Sequence, residues 1–105
     1  MDLALKDRVA VIGGSSAGIG FAIAELFASE GAAVTIVARR KEPLESAAES
    51  LRAKTGARVL AVPADIRRAD DCARIIESAK AEFGRIDVLV NNDGAPPLGR
   101  LDEFD

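Results

Sequence analysis

One stretch near the start of the chain has residue types and spacing suited to binding chemistry. Gly13-Gly14-Ser15-Ser16-Ala17-Gly18-Ile19-Gly20 follows a short apolar run, Val9-Ala10-Val11-Ile12. It precedes a helical pattern with Ile19, Ile23, Leu26 and Phe27 on one face. This order reads as a buried strand, a tight turn and the first turn of a helix. Glycine lets backbone approach a ligand closely, and a helix start offers unpaired N–H groups and a partial positive charge. Together they form a seat for a phosphate or pyrophosphate. A glycine-rich turn can also do no more than reverse the chain; the flanking strand and helix favour the phosphate seat.

A second group lies about twenty residues on, where NAD-binding domains usually place an acid that holds the adenosine ribose. Here Ala38 is followed by Arg39-Arg40-Lys41. Arginine there can fork onto a ribose 2′-phosphate and stack on adenine. Cations beside a helix start are otherwise unfavourable by roughly 0.3–1 kcal/mol each, and an anionic ligand would relieve that. The pattern therefore predicts NADP ahead of NAD, with Arg39 ahead of Arg40. Asp65-Ile66 could meet an adenine amino group, Asp65 as acceptor and the Ile66 amide alongside; the same position suits a turn or helix-cap aspartate. Asn92 could line the cofactor site or tie the sheet ends together, since asparagine favours turns anyway. Cys72 falls on an apolar helical stripe and reads as a small core residue. No carboxylate pair stands out as an acid–base site.

The elements that must position these groups alternate regularly. Strands are expected over about 8–13, 33–38, 58–62 and 86–90. Helices are expected over about 18–29, from about Pro43 to Gly56, and from about Asp70, with Asp70 or a neighbour as cap, to Gly84. Near-continuously apolar strands joined by short links imply parallel pairing, right-handed crossovers and helices on both faces. The predicted fold is α/β: a Rossmann-like doubly wound parallel sheet of about four strands, order 3-2-1-4, with three helices, the front part of a larger sheet. Residues 1–105 form one partial dinucleotide-binding domain, of which 95–105, with Pro96-Pro97, is a loop-like tail.

Composition narrows the partners. A chain of 105 residues, 49% hydrophobic and 30% charged, suits one globular core and not a disordered segment. The net charge of −3 gives no basic balance for nucleic acid or an anionic membrane. No apolar run approaches the roughly 18 residues of a spanning helix, and no signal peptide is evident at the start. One cysteine excludes an intrachain disulfide and fits a reducing, cytoplasmic setting.

The residues so far resemble the short-chain dehydrogenase/reductase family. Gly14-Ser15-Ser16-Ala17-Gly18-Ile19-Gly20 has the family's G-x-x-x-G-x-G form, Asp65 matches its adenine-contacting aspartate, and Asn91-Asn92-Asp93-Gly94 is similar to its N-N-A-G turn. The resemblance implies that Gly14, Ser16, Gly18, Ile19 and Gly20 contact the cofactor's phosphates and ribose. It further implies that Arg39 and Arg40 prefer NADP, that Asp65 and Ile66 hold adenine, and that Asn92 lies near the cofactor ribose. Three positions depart from the family pattern. Gly13 replaces a threonine that ties the first strand to the turn after the fourth. Asp93 replaces an alanine in that turn. Ala17 stands where NADP binders often carry a basic residue. The first two are expected to be linked, with Asp93 restoring a polar tie to the Gly13–Gly14 backbone; the rival expectation is repulsion between Asp93 and the cofactor phosphates.

The resemblance also implies a later serine and a Tyr-x-x-x-Lys motif, in which tyrosine acts as acid/base beside a lysine that lowers its pKa. The sequence contains no tyrosine, so no catalytic residue is assigned. The expectation is the cofactor-binding portion of an NADP-dependent oxidoreductase that moves hydride to or from a carbonyl or alcohol, truncated and without turnover alone. The alternatives are a non-catalytic dinucleotide-binding module or sensor, and another doubly wound protein such as a methyltransferase. With Val88, Leu89 and Val90 on an open edge, the fourth strand is expected to drive self-association or to leave the chain poorly stable.

Overall fold

Strand and helix alternate along the whole of residues 5–92, the part described in this computed structural model. The elements are β1 (Val9–Gly13), α1 (Gly18–Ser29), β2 (Ala33–Ala38), α2 (Lys41–Thr55), β3 (Val59–Pro63), α3 (Ala69–Phe83) and β4 (Val88–Asn91). The four strands form one parallel sheet in the order β3-β2-β1-β4. Gly13 pairs with Val37 on one side and Asn91 on the other, so the carboxyl ends of β1, β2 and β4 lie level.

The apolar strands are buried because both faces are covered. Ala10, Ile12, Val34 and Ile36 pack under α1 and α2, against Ala24, Ala28, Leu44, Ala48 and Leu51. Val11, Val37 and Val62 face the other way, against Ile75 and Ala79 of α3. The chain winds outward from β1 through β2 to β3, then returns past β1 to place β4 on its far side. The sheet therefore reverses its winding at β1, the point where sheets of this type bind ligands.

Three local expectations are corrected or refined. On α1 the buried residues are Gly20, Ala24 and Ala28, while Ile19 and Leu26 are 71% and 45% exposed. The helix lies so close to the sheet that only small side chains at i, i+4 spacing fit beneath it; Ile23 and Phe27 are displaced to its flanks as partly buried residues. The N-cap position of α3 is held by Arg68, a near neighbour that makes no side-chain cap, and Asp70 lies with Asp71 in the first turn. β4 begins at Val88 because Asp87 turns its carboxylate back onto β1.

That aspartate clamps the two strands. The Asp87 amide donates to the Val9 carbonyl at 2.8 Å, and the Val9 amide donates to Asp87 Oδ2 at 2.9 Å. Arg85 Nε reaches the same oxygen at 2.9 Å, and Arg8 Nη1 stands 3.8 Å from Oδ1. The Val9 amide and the Arg85 guanidinium hold the Asp87 carboxyl below the usual carboxylate range. Its contribution is therefore complete above about pH 4 and is lost as pH falls through the lowered native value. Asp87→Ala is expected to cost about 2 kcal/mol in urea unfolding at pH 7. The difference from the unsubstituted chain should shrink as pH falls below about 4; a gap independent of pH would contradict the clamp.

Candidate functional site

The site forms where the sheet's carboxyl edge meets α1. After Gly13 the chain turns at Gly14, whose φ of 65° is in the left-handed region that glycine enters at little cost. Ser15 follows, fully buried. Its Oγ donates to the Ile12 carbonyl at 2.6 Å and accepts from the Val37 amide at 2.9 Å. Its own amide donates to the Val37 carbonyl at 3.0 Å. The loop is thus stitched to the end of β2 and held rigidly.

α1 then starts directly on this loop. A Cβ at Gly20 would collide with the Gly14 carbonyl oxygen and lie 2.8 Å from its carbon and 3.0 Å from Ser15 Cα. Gly20 therefore allows the helix to sit on the loop backbone. The N-cap, Ala17, makes no side-chain cap, and the first turn has no acidic residue. Its N–H groups and partial positive charge are left for an external anion.

A cavity of about 460 Å³ opens beside this turn. Gly14, Ser16, Arg39, Arg40, Asp65, Ile66 and Asn92 all line it, so seven residues from four separate loops converge on one space. Gly18, Ile19 and Gly20 stand next to it, in the first turn of α1, and are not part of its wall. Arg39 and Arg40 follow β2 directly, and Arg40 is the N-cap of α2.

Asp65 is held from two directions. Its amide donates to Asp71 Oδ2 at 2.7 Å, which anchors the loop after β3 to the start of α3. Its carboxylate accepts from Arg67: the amide and Nε reach Oδ1 at 3.0 and 3.1 Å, and Nη2 reaches Oδ2 at 3.3 Å. These bonds, with a smaller contribution from the charge of Arg39, hold the Asp65 carboxyl below its ordinary value.

Ile66 fills the space left by the missing threonine. A Cβ at Gly13 would come within 2.6 Å of Ile66 Cδ1, and the Ile66 side chain is buried. The polar tie expected from Asp93 lies outside the described residues. Cys72 is half-buried against the α3 face of the core, with Sγ 2.9 Å from the Ile66 carbonyl oxygen.

Sequence reasoning missed Ser15 and Arg67. A serine inside the glycine turn was a signal for the first, because short hydroxyl side chains bond nearby backbone. The Asp-x-Arg spacing was a weak signal for the second.

A short chain dehydrogenase family profile matches residues 8–105. The A-factor type gamma-butyrolactone 1′-reductase (1S-forming) of Streptomyces virginiae is 45% identical over 103 residues, covering 94% of this chain and 40% of that protein. The 11-beta-hydroxysteroid dehydrogenase 1A of Arabidopsis thaliana is 39% identical over 101 residues, covering 96% of this chain and 29% of that one. Among solved structures, L-sorbose reductase from Gluconobacter frateurii, complexed with NADPH and L-sorbose, superposes with a TM-score of 0.86 at 45% identity. It covers 100% of this chain and 40% of its own. A metagenomic short-chain oxidoreductase in complex with NADP gives a TM-score of 0.79 at 38% identity, over 88% of this chain and 41% of that one. The chain therefore spans about two-fifths or less of these relatives. Among the described residues no helix is long and apolar enough to cross a membrane. With the profile match, the sheet order and the glycine turn in agreement, the chain belongs to the short-chain dehydrogenase family.

Proposed function

We propose that this chain binds NADP(H) in the cavity above the sheet and is the cofactor-binding part of an oxidoreductase. The observation that carries the reading is the cavity's basic wall. Arg39 and Arg40 sit where an acid would otherwise hold a bare ribose, beside a helix start with no acid of its own. This donor set fits a dinucleotide with a 2′-phosphate. Gly14, Ser16, Gly18, Ile19 and Gly20 would seat the pyrophosphate and adjoining ribose. Arg39 and Arg40 would take the 2′-phosphate, Asp65 and Ile66 the adenine, and Asn92 the nicotinamide-side ribose. When bound, the cofactor supplies or accepts a hydride; this chain's share is to bind and orient it. The reading takes residues 1–105 as one dinucleotide-binding unit working in a reducing compartment such as the cytoplasm. The hydride partner, a carbonyl or alcohol, and the acid/base group belong to the part of the family fold that this chain does not span.

Calorimetric titration tests this. NADPH is expected to bind with about one site per chain and more tightly than NADH; no heat with either, on folded chain, would contradict the reading.

Self-association belongs to the same proposal. Among the described residues β4 pairs only with β1, and Val88, Leu89 and Val90 are only half-buried. An apolar groove of about 380 Å³ beside the strand is lined by Ile75, Ile76 and Leu89. Such an edge can pair with a second copy. Sedimentation is expected to show a concentration-dependent dimer of the 105-residue chain; a monomer at all concentrations would contradict it.

A further inference from the structure

Arg67 lies outside the glycine turn and outside the Arg39-Arg40 pair, yet it lines the same cavity. Its fork closes on Asp65, with Nε 3.1 Å from Oδ1 and Nη2 3.3 Å from Oδ2. The chain path explains the geometry. Arg67 follows Asp65 by two residues, and the Arg67 amide also bonds Oδ1 at 3.0 Å, which curls the loop so that the side chain returns onto the carboxylate. The Asp65 amide is pinned to Asp71, so the aspartate itself is held in place.

The charges around the cavity show what this closure achieves. A ribose 2′-phosphate carries about 1.5 to 2 negative charges near neutral pH. The charged residues of the wall are Arg39, Arg40 and Arg67 against Asp65, which leaves two net positive charges. Without Arg67 the wall would carry one, and the Asp65 carboxylate would face an incoming dianion without its bonded counter-charge. The Arg39 charge is felt at Asp65, so the groups that would take the phosphate and the carboxylate that would repel it share one local field.

We propose that Arg67 is a positioning residue for cofactor choice: by neutralising Asp65 it lets the cavity accept a 2′-phosphate, and so selects NADP over NAD. This rests on the dinucleotide reading above. Arg67 does its work without displacement from Asp65, whose Oδ2 keeps lone pairs for the adenine amino group.

The test compares NADPH with NADH, and 2′,5′-ADP with 5′-AMP, by titration of the 105-residue chain. Arg67→Gln is expected to lower the NADPH-to-NADH affinity ratio about tenfold, the size expected of one nearby charge at an effective dielectric between protein and water. The 2′,5′-ADP to 5′-AMP ratio should fall equally, and added salt should narrow both differences. Arg67→Lys should recover most of the ratio. Asp65→Asn placed in the Arg67→Gln chain should recover it as well, because that carboxylate is then gone. Equal weakening of NADPH and NADH would show that Arg67 only shapes the loop, and would overturn the assignment. So would an unchanged ratio, or a loss that Asp65→Asn does not repair. Absence of NADPH binding by the unsubstituted chain would instead overturn the dinucleotide reading, and this assignment with it.

Discussion

Gly20→Ala is expected to weaken NADPH binding at least about 100-fold, equivalent to about 2.7 kcal/mol. The added methyl has no free space to enter. It meets the Gly14 carbonyl and Ser15 Cα, which are backbone atoms and cannot rotate aside. Those atoms are fixed in turn, because Ser15 is bonded to both Ile12 and Val37. Either α1 lifts from the loop or the loop moves from β2, and overpacking of this kind costs roughly 1–3 kcal/mol of stability. In both cases the N–H groups of the turn and helix lose their common aim. Gly18 provides the control for the stability effect. Nothing lies within 4 Å of a Cβ there, so Gly18→Ala meets only the strain of its φ of 64°. That should cost about 1 kcal/mol. Titration and urea unfolding of both variants check the contrast. Equal losses of stability in urea would show that α1 is not seated on the loop backbone as described.

The second large effect concerns charge. Arg39→Ala is expected to weaken NADPH binding by about 10–100-fold, the worth of a charge-assisted fork on phosphate. NADH binding should change by less than about threefold, since its bare ribose gives the guanidinium little to hold. Arg40→Ala should have the smaller effect, because Arg40 is the N-cap residue of α2 and follows the strand end by one more position. Arg39→Asp should reverse the preference by placing a carboxylate where a ribose hydroxyl pair can be held. Equal losses for both cofactors after Arg39→Ala would show that Arg39 serves adenine or the fold, and not the phosphate.

Much of the architecture is legible in the sequence for one reason: strands buried on both faces must be apolar along their length. Val9–Ile12 and Ala33–Ala38 are such runs, and each is closed by a glycine turn or a charged helix start. Strand order was expected from the doubly wound nucleotide-binding pattern, and a sheet reversing its winding at β1 needed no side-chain detail. The misread features depend on distance between elements, which a linear pattern does not encode. Hydrophobic periodicity on α1 pointed to Ile19 and Leu26, but close seating selected Gly20, Ala24 and Ala28. Asp87 read as one more strand residue, because only the folded sheet brings the Val9 amide to its carboxylate. At the site, Arg39, Arg40, Asp65 and Asn92 could be named from their places after strand ends, and all four line one cavity. The Arg67–Asp65 closure could not, since it depends on how a loop curls between two residues. Likewise Gly13 announced a vacancy, yet its occupant, Ile66, lies fifty-three residues away in the chain.

The central claim is that this cavity receives NADP(H), and amide chemical shifts test it residue by residue. NADPH added to isotope-labelled chain should shift the amides of Gly14, Ser16, Gly18, Ile19, Gly20, Arg39, Arg40, Asp65 and Ile66 together, with one common affinity. 2′,5′-ADP should reproduce the part of that pattern at Arg39, Arg40, Asp65 and Ile66. Shifts centred elsewhere, or none at millimolar NADPH in a folded sample, would contradict it.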